Sequence, residues 1–273
     1  KLSEWLAQAP ALIESGASPK QGREIDKWFE SELNRVVMET TEAMDNAMFK
    51  SALRNSFFEL SRIIKWYLHR TGGKPGKGLI REAVIAQALM LAPVTPFVAE
   101  EFWEKLGNKG LVFSAGWPKF DESKIKAESA ESEKLVQQIL EDVRHIKELA
   151  KIDRPKKVAI FTAPEWKWKG IALAAAASKE KPDFGAVMKA LMQDGQIRKH
   201  GKEVEGFAKR AVKVAKEFDG RERIDEAALL LENKAFFEKE FGAQVVVVDA
   251  GEAKENPERA MKAFPLKPAI LIE

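Results

Sequence analysis

No cysteine occurs in the 273 residues, and the three histidines, His69, His145 and His200, lie far apart. Disulfides, thiolate zinc sites and cysteine nucleophiles are thereby excluded, and a histidine-based metal site is not expected. No run of about 18 apolar residues is available to span a bilayer, and no secretory leader opens the sequence. A cytoplasmic location with no membrane partner is the expectation. Internal repeats and low-complexity segments are also missing. The glycine-rich stretch TGGKPGKG (71–78) invites a phosphate-loop reading. It fails that test, since no Gly-Lys-[Ser/Thr] follows at the required spacing and no strand precedes it; a mobile connector is expected. Lys1 is not an initiator, so a piece of a longer protein is expected. Heavy Lys and Glu usage without cysteine is compatible with a thermophilic source.

What is present is an ordinary globular balance, with 45% apolar and 32% charged residues. The length exceeds a typical single core, so two domains are expected. The net charge of +3 conceals an asymmetry. Residues 1–150 carry 21 basic and 22 acidic side chains, residues 151–216 carry 16 and 7, and residues 217–273 carry 8 and 13. Such a concentration of positive charge is the footprint of a phosphate-backbone partner, or of a lysine-rich surface that aids solubility.

The organising stretch is LAPVTPFVAEEFWEKLG, residues 91–107. Pro93 and Pro96 cannot lie inside an unbroken helix, so one helix should stop near Leu91. Thr95 fits as N-cap with Pro96 in the first helical position. Val98, Phe102 and Leu106, flanked by Ala99 and Trp103, form one buried stripe away from Glu100, Glu101, Glu104 and Lys105. Gly107 closes the helix.

Around this corner the pattern is mainly helical. Residues 2–13 have helical spacing and end in a loop. A long core helix is expected over 23–44, with Ile25, Phe29, Leu33, Val36, Thr40 and Met44 on one face. The run 47–70 places Leu53, Phe57, Leu60, Ile64 and Tyr67 on an apolar stripe. At 100° per residue, Arg54, Arg62, Lys65 and His69 gather on a basic face, which is either an RNA-facing or an ordinary solvated surface. Helices over 79–91 and 128–151 follow, the latter with Leu135, Ile139, Val143, Ile146 and Ala150 inward. Five helices with short links read as a bundle. At Asp153–Pro155 the pattern changes. Strands are expected at 156–163, 244–250 and 268–273, with Pro268 starting the last strand or placing it at an edge. Between the first two strands come helices at 165–177, at 184–193, from 202 onward through Phe218, and at 225–241. On the third of these, Lys209, Lys213 and Lys216 line up opposite Phe207, Ala211, Val214 and Phe218. Three strands with four or five helices make a small α/β layer domain. The expected division is 1–152, a helical bundle, and 153–273, an α/β domain.

The 91–107 stretch, with WPKFD at 117–121, resembles the end of the anticodon-binding helical bundle of class I aminoacyl-tRNA synthetases: the proline spacing, paired Glu100 and Glu101, and Trp103 keep their places. TAPEWKWK (162–169), IRKHGKEV (197–204) and FPLKPAILIE (264–273) resemble, in that order, the C-terminal domain of archaeal and eukaryotic-type leucyl-tRNA synthetases. The resemblance implies a class I anticodon-binding bundle followed by a small tRNA-binding α/β domain with a three-stranded sheet.

That family attaches leucine to its tRNA through an adenylate, using ATP and Mg at a catalytic domain with HIGH-like and KMSKS-like motifs. Neither motif is in this sequence, nor is the inserted editing domain. The resemblance therefore implies a non-catalytic part with no cofactor of its own, acting with catalytic and editing domains in cis. It implies a monomer that docks a leucine tRNA and its long variable arm. Carried over by position, Pro265, Lys267, Ile272 and Glu273 are candidate variable-arm contacts. Glu273 would accept from base amino groups. Arg54, Arg62, Lys65, Lys167, Lys169, Arg198, Lys199, Lys209 and Lys213 are candidate phosphate contacts. PAILIE is otherwise a core strand, and Trp166 and Trp168 are read for packing ahead of base stacking. Two alternatives stay open: the same region of an isoleucyl or valyl enzyme, and a helical module whose basic face docks an acidic protein.

Overall fold

The computed structural model describes residues 11–14, 16, 23–178, 183–221 and 223–273. Most of the helix expected over 2–13, the loop after it and the break expected at Lys181–Pro182 lie outside the described residues. Internal contacts gather into two units, Lys1–Glu133 and Lys134–Glu273. The change from helix to strand follows the 153–155 turn.

In the first unit, α1 (Glu24–Asp45) buries Phe29, Leu33, Val36, Val37 and Thr40, close to the expected face. The next helix differs from expectation. It runs as α2 (Phe49–Leu53), a π-helical stretch (Arg54–Glu59) and α3 (Leu60–Arg70). A π turn advances by less than 100° per residue, so it rotates the faces on either side of it relative to each other. Leu60, Ile64 and Tyr67 are buried as expected, whereas Leu53 and Phe57 are only half-buried and Ala52, Asn55 and Ser56 turn inward instead. The widened turn frees a carbonyl, and the buried Gln87 Nε2 donates to it, at 3.0 Å from Ser56 O. That neighbouring amide meets the cost of the irregular turn.

Gln87 belongs to α4 (Lys77–Leu91), which stops at Leu91 as the prolines require. The next helix, α5 (Pro96–Lys105), has Pro96 in its first turn. Thr95 holds the N-cap position, but its hydroxyl makes no capping bond. It turns back and donates to Leu91 O at 3.3 Å, satisfying the end of α4 instead. Ala99, Phe102, Trp103 and Leu106 are buried, and Gly107 has φ +74°, the left-handed conformation that ends a helix without a Cβ clash. The paired glutamates differ in role. Glu100 receives Val112 N–H on both carboxylate oxygens at 3.1 Å, folding the chain back after the helix, while Glu101 pairs with Lys105 on the surface.

The WPKFD segment straps α1. Trp117 Nε1 donates to Thr41 Oγ1 at 2.8 Å and Asp121 N–H to Asn34 Oδ1 at 2.8 Å; Lys126 N–H then reaches Ser31 Oγ at 2.8 Å. Polar side chains on the strap-facing side of α1 thus satisfy the Trp117 indole and the two backbone N–H groups that flank a 3-10 turn at Glu122–Lys124. The glycine loop at 71–78 is tied to the core by Tyr67. The Tyr67 hydroxyl donates to Asp26 Oδ1 at 2.5 Å and accepts Gly76 N–H at 2.8 Å.

α6 (Ala127–Ala150) buries Leu135, Ile139 and Val143. Its last turn does not follow the expected stripe, since Ile146 is half-buried and Ala150 exposed.

The second unit is built on a three-stranded sheet of order β2–β1–β3. β1 (Lys157–Thr162) is central. It runs parallel to β2 (Gln244–Asp249), with Ile160 opposite Val247, and antiparallel to β3 (Ala269–Ile272), with Ile160 opposite Ile270. Central position explains why Val158 to Thr162 are all buried. Pro268 precedes the edge strand β3, where a missing N–H costs nothing.

Between β1 and β2 the chain forms α7 (Glu165–Ala177), α8 (Phe184–Gln193), α9 (Gly195–Arg198) and α10 (Lys202–Val214). Then come α11 (Glu226–Glu232) and α12 (Lys234–Phe241), which were expected as one helix. Asn233 divides them at φ −90°, ψ 4°, with its side chain donating to Leu229 O at 2.8 Å, the local bonding by which asparagine competes with helix continuation. A last turn, α13 (Pro257–Ala260), precedes β3. Gly170 lets α7 approach closely, because a Cβ there would stand 2.7 Å from Phe207 Cε1.

A buried carboxylate joins the end of β1 to the segment before β3. Glu226, 2% exposed, accepts Ala163 N–H at 3.0 Å and Leu266 N–H at 2.6 Å. Burial pushes its carboxyl up from 4.5 to about 7, against the pull of these two donors and of Arg223 and with a further push from Asp249. Through that window the folded chain keeps a proton that the unfolded chain releases, so the contribution of Glu226 to stability falls as pH rises and levels off above pH 7. The full effect is about 3 kcal/mol. Denaturant unfolding of the chain and of Glu226→Gln between pH 4.5 and 8 should therefore give a stability difference that changes across this window. A difference that stays constant with pH would show that Glu226 does not titrate there.

Candidate nucleic-acid interface

The three segments singled out near the C-terminal end of the sequence meet in the second unit. α7 supplies Trp166, whose ring stacks on His200 at 4.5 Å and 16°, and meets Phe207 edge-on at 5.3 Å. Phe264 packs on Phe207 at 5.2 Å. Trp166 and Trp168, 8% and 7% exposed, are chiefly packing residues, as read from the sequence.

α9 presents the exposed Arg198 and Lys199. It is a single helical turn, yet well anchored. Ile197 is fully buried, and Asp194 caps the turn by accepting Gln196 N–H at 2.9 Å and Ile197 N–H at 3.1 Å. The Lys169 ammonium lies 2.6 Å from the same Asp194 carboxylate and, with the backbone donors, holds it below the usual range. Exposed cations on a short loop are thus carried by a fixed scaffold.

The candidate cations fall into three groups. Among the described residues Arg198, Lys199, Lys213, Arg54 and Lys65 are exposed and make no ion pair. Lys169, Lys209 and Arg62 are exposed but engaged, with Asp194 at 2.6 Å, Glu205 at 2.6 Å and Glu59 at 2.8 Å. Their partners are correspondingly acidified: the Lys209 ammonium lowers Glu205, and the Arg62 guanidinium lowers Glu59 against its burial. Lys167 stands apart and corrects the sequence reading. It is 5% exposed, and its ammonium donates to Met261 O at 2.6 Å and Ala263 O at 2.8 Å. Burial brings it down to about 8. Buried, and with two of its three donors on backbone carbonyls, it ties α7 to the 261–263 segment and is not presented to a phosphate.

The variable-arm candidates divide similarly. Phe264 and Lys267 exchange backbone bonds at 3.0 and 2.8 Å around a tight turn in which Leu266 has φ +58°. This turn exposes Lys267 and buries Pro265, so Pro265 is no contact residue but part of the turn's packing. Ile272 is half-buried opposite Val158 in the sheet. Glu273 is exposed by its side chain only, since its carbonyl accepts from Lys156 N–H at 2.6 Å and Lys157 N–H at 3.0 Å.

Sequence reading missed Arg210, Arg221 and Arg223. Arg210 Cζ lies 4.4 Å from the Phe264 ring centroid and its Nη1 donates to Lys262 O at 3.0 Å; burial lowers its proton affinity. Arg221 Cζ lies 5.6 Å from the Phe218 ring. The last two sit in a locally acidic part of the sequence, and the signal that could have found them is the aromatic three residues before Arg221.

Comparison with known families is decisive for the bundle. Residues 26–161 match the family described as anticodon-binding domain of tRNA ligase. The chain carries an anticodon-binding domain of the tRNA-ligase family. The matched region includes α1, the π-turn helix, the proline corner, the strap and α6, and it extends into β1. Curated relatives extend the likeness over nearly all of the chain. The leucine–tRNA ligase of Pyrococcus abyssi is 38% identical over 252 residues, covering 91% of this chain and 25% of the relative. That of Methanosarcina acetivorans is 33% identical over 286 residues, with 100% and 29% covered, and that of Aeropyrum pernix 33% over 279 residues, with 100% and 28% covered. The chain thus spans about a quarter of the length of the relatives it matches. Among the described residues no helix is long and apolar enough to cross a membrane. Of the candidate phosphate contacts, those within the matched region are Arg54 and Lys65, which make no ion pair among the described residues, and Arg62, held by Glu59.

Proposed function

We propose that this chain is the tRNA-binding portion of a leucine–tRNA ligase, with no catalytic site of its own, and that it docks a leucine tRNA by its long variable arm. The observation that carries the reading is the joint presence of an anticodon-binding domain and, behind it, a region shared with leucine–tRNA ligases that offers, on an anchored turn, cations with no ion pair among the described residues. Arg198, Lys199 and Lys213 serve as phosphate contacts on the second unit, and Arg54 and Lys65 on the first. Lys267 and Glu273 contact the variable arm, the lysine through phosphate and the carboxylate through base amino groups. Phosphate contacts set register and affinity, while base edges carry specificity. Adenylate chemistry with ATP and Mg, and editing, belong in this reading to other domains of the full ligase, which acts as a monomer in the cytoplasm.

A titration of the chain against a long-armed leucine tRNA and a short-armed tRNA, at about 50 and 200 mM salt, tests it. Preference for the long arm, with affinity falling steeply as salt rises because neutralised phosphates release counterions, is the expected result. Equal affinities would reduce the reading to general tRNA docking. Removing residues 264–273 is not a clean test, because it deletes β3 and the buried Phe264 along with the contact residues.

A further inference from the structure

A cleft of about 290 Å³ lies on the second unit, lined among others by Trp168, Lys169, Ala172, Phe218, Arg221 and Arg223. Its aromatic wall is built, since Trp168 meets Phe218 edge-on at 6.4 Å and 74°. The Arg221 guanidinium is stationed over the Phe218 ring at 5.6 Å. Arg223 is held only loosely, 3.9 Å from Glu165, with the two side chains 57% and 85% exposed. A pair that open is worth little and is readily exchanged for another anion. Lys169 joins the cleft to the basic turn, because its ion pair is with Asp194, which caps α9 and so positions Arg198 and Lys199.

An aromatic ring half-open to solvent, a guanidinium plane and several cations around a space this small match one chemistry well. A planar base stacks on aromatic and guanidinium faces, and the phosphates on either side of it are met by lysine and arginine. The volume lies below the range usual for drug-sized ligands, which suits one base rather than a larger group. An acidic peptide would satisfy the cations but would leave the Phe218 and Arg221 faces unused.

We propose that this cleft receives a single unstacked base of bound RNA, with Phe218 and Arg221 forming the stacking platform and Lys169 and Arg223 holding the flanking phosphates. The inference rests on the tRNA-binding reading and adds to it a base subsite away from the 264–273 segment.

The test uses the full chain with two probes, leucine tRNA and the mononucleotides AMP and UMP. The Trp168 indole N–H resonance, identified by comparison with Trp168→Phe, reports on the cleft. Mononucleotides should shift it with an affinity of roughly 1–10 mM, as expected for one stacked base and a phosphate. Phe218→Leu should abolish that shift and weaken tRNA binding by roughly tenfold while leaving the salt dependence unchanged, because no charge is altered. Ala172→Leu fills the cleft from an exposed helical position and should do the same without touching the packing of Phe218. If tRNA binds both variants as it binds the parent chain and the indole signal ignores both mononucleotides, the base subsite is wrong and the tRNA reading stands. If the unsubstituted chain binds no tRNA at either salt, the tRNA reading falls and the subsite with it.

Discussion

Exchanging Arg70 for methionine is expected to lower the stability of the bundle by about 3–5 kcal/mol. Arg70 and Glu133 are each 7% exposed by side chain and meet at 2.6 Å between Nε and Oε1, with Nη2 at 3.3 Å from the second oxygen. The Trp66 indole donates to the same carboxylate at 2.7 Å. Loss of the guanidinium leaves a buried carboxylate facing that indole without its counter-charge, and the desolvation of Glu133 is then no longer offset. Exposed pairs behave differently. Lys27 and Glu24 are also 2.6 Å apart, but more than half exposed, and Lys27→Met should cost no more than about 1 kcal/mol. Adding Glu133→Gln to Arg70→Met should recover most of the loss, because the neutral amide removes the buried unpaired charge while its oxygen still accepts from the Trp66 indole. Urea unfolding of the four variants of this cycle measures the coupling directly. Equal losses for Arg70→Met and Lys27→Met would show that burial of the pair adds nothing.

The parts of this fold that were legible in the sequence are those fixed by covalent facts or by long periodicity. Pro93 and Pro96 set the end of α4 and the start of α5 whatever surrounds them, and the β-branched runs at 156–163 and 244–250 are strands in the structure. The π stretch at Arg54–Glu59 was not legible, since a helical wheel assumes a constant angle per residue and the deviation is supported by a side chain 31 positions away, Gln87. Thr95 stands at the N-cap position read from the sequence, but its hydroxyl bonds backward to Leu91 O. A hydroxyl at a helix–helix corner has two backbone targets, and residue type alone does not choose between them.

The candidate site was legible in part, for a related reason. Net charge located the basic region, but it counts every lysine equally. Lys167 is three and four residues before Gly170 and Ile171, both buried on α7, and so shares their inward face. That spacing was a usable signal for its burial. Pro265 offered no such signal, because it lies in a turn, where no helical or strand periodicity marks a buried face. Conversely, Arg221 and Arg223 were hidden by acidic neighbours in the sequence that dilute their charge in any window average.

Reversing Arg198 and Lys199 together to glutamate should weaken tRNA binding more than about 100-fold at roughly 0.1 M salt, since charge-assisted hydrogen bonds contribute about 1.5–3 kcal/mol each. The logarithmic salt slope should fall by about two, one for each phosphate no longer neutralised. The argument lies in what each cation gives up on binding. Arg198 and Lys199 are exposed and have no ionic partner among the described residues, so a phosphate adds an interaction without removing one. Lys209 must first leave Glu205 at 2.6 Å, and Lys209→Glu should therefore weaken binding only a few-fold. Both exposed positions lie outside the packed interior, where Ile197 is the anchor of α9, so stability should stay within about 0.5 kcal/mol of the parent chain. Losses of equal size from all three positions would mean that the tRNA responds to the overall field of the domain and makes no defined contact at α9. An unchanged affinity in the double variant would move the phosphate contacts to the first unit, where Arg54 and Lys65 have no ionic partner among the described residues.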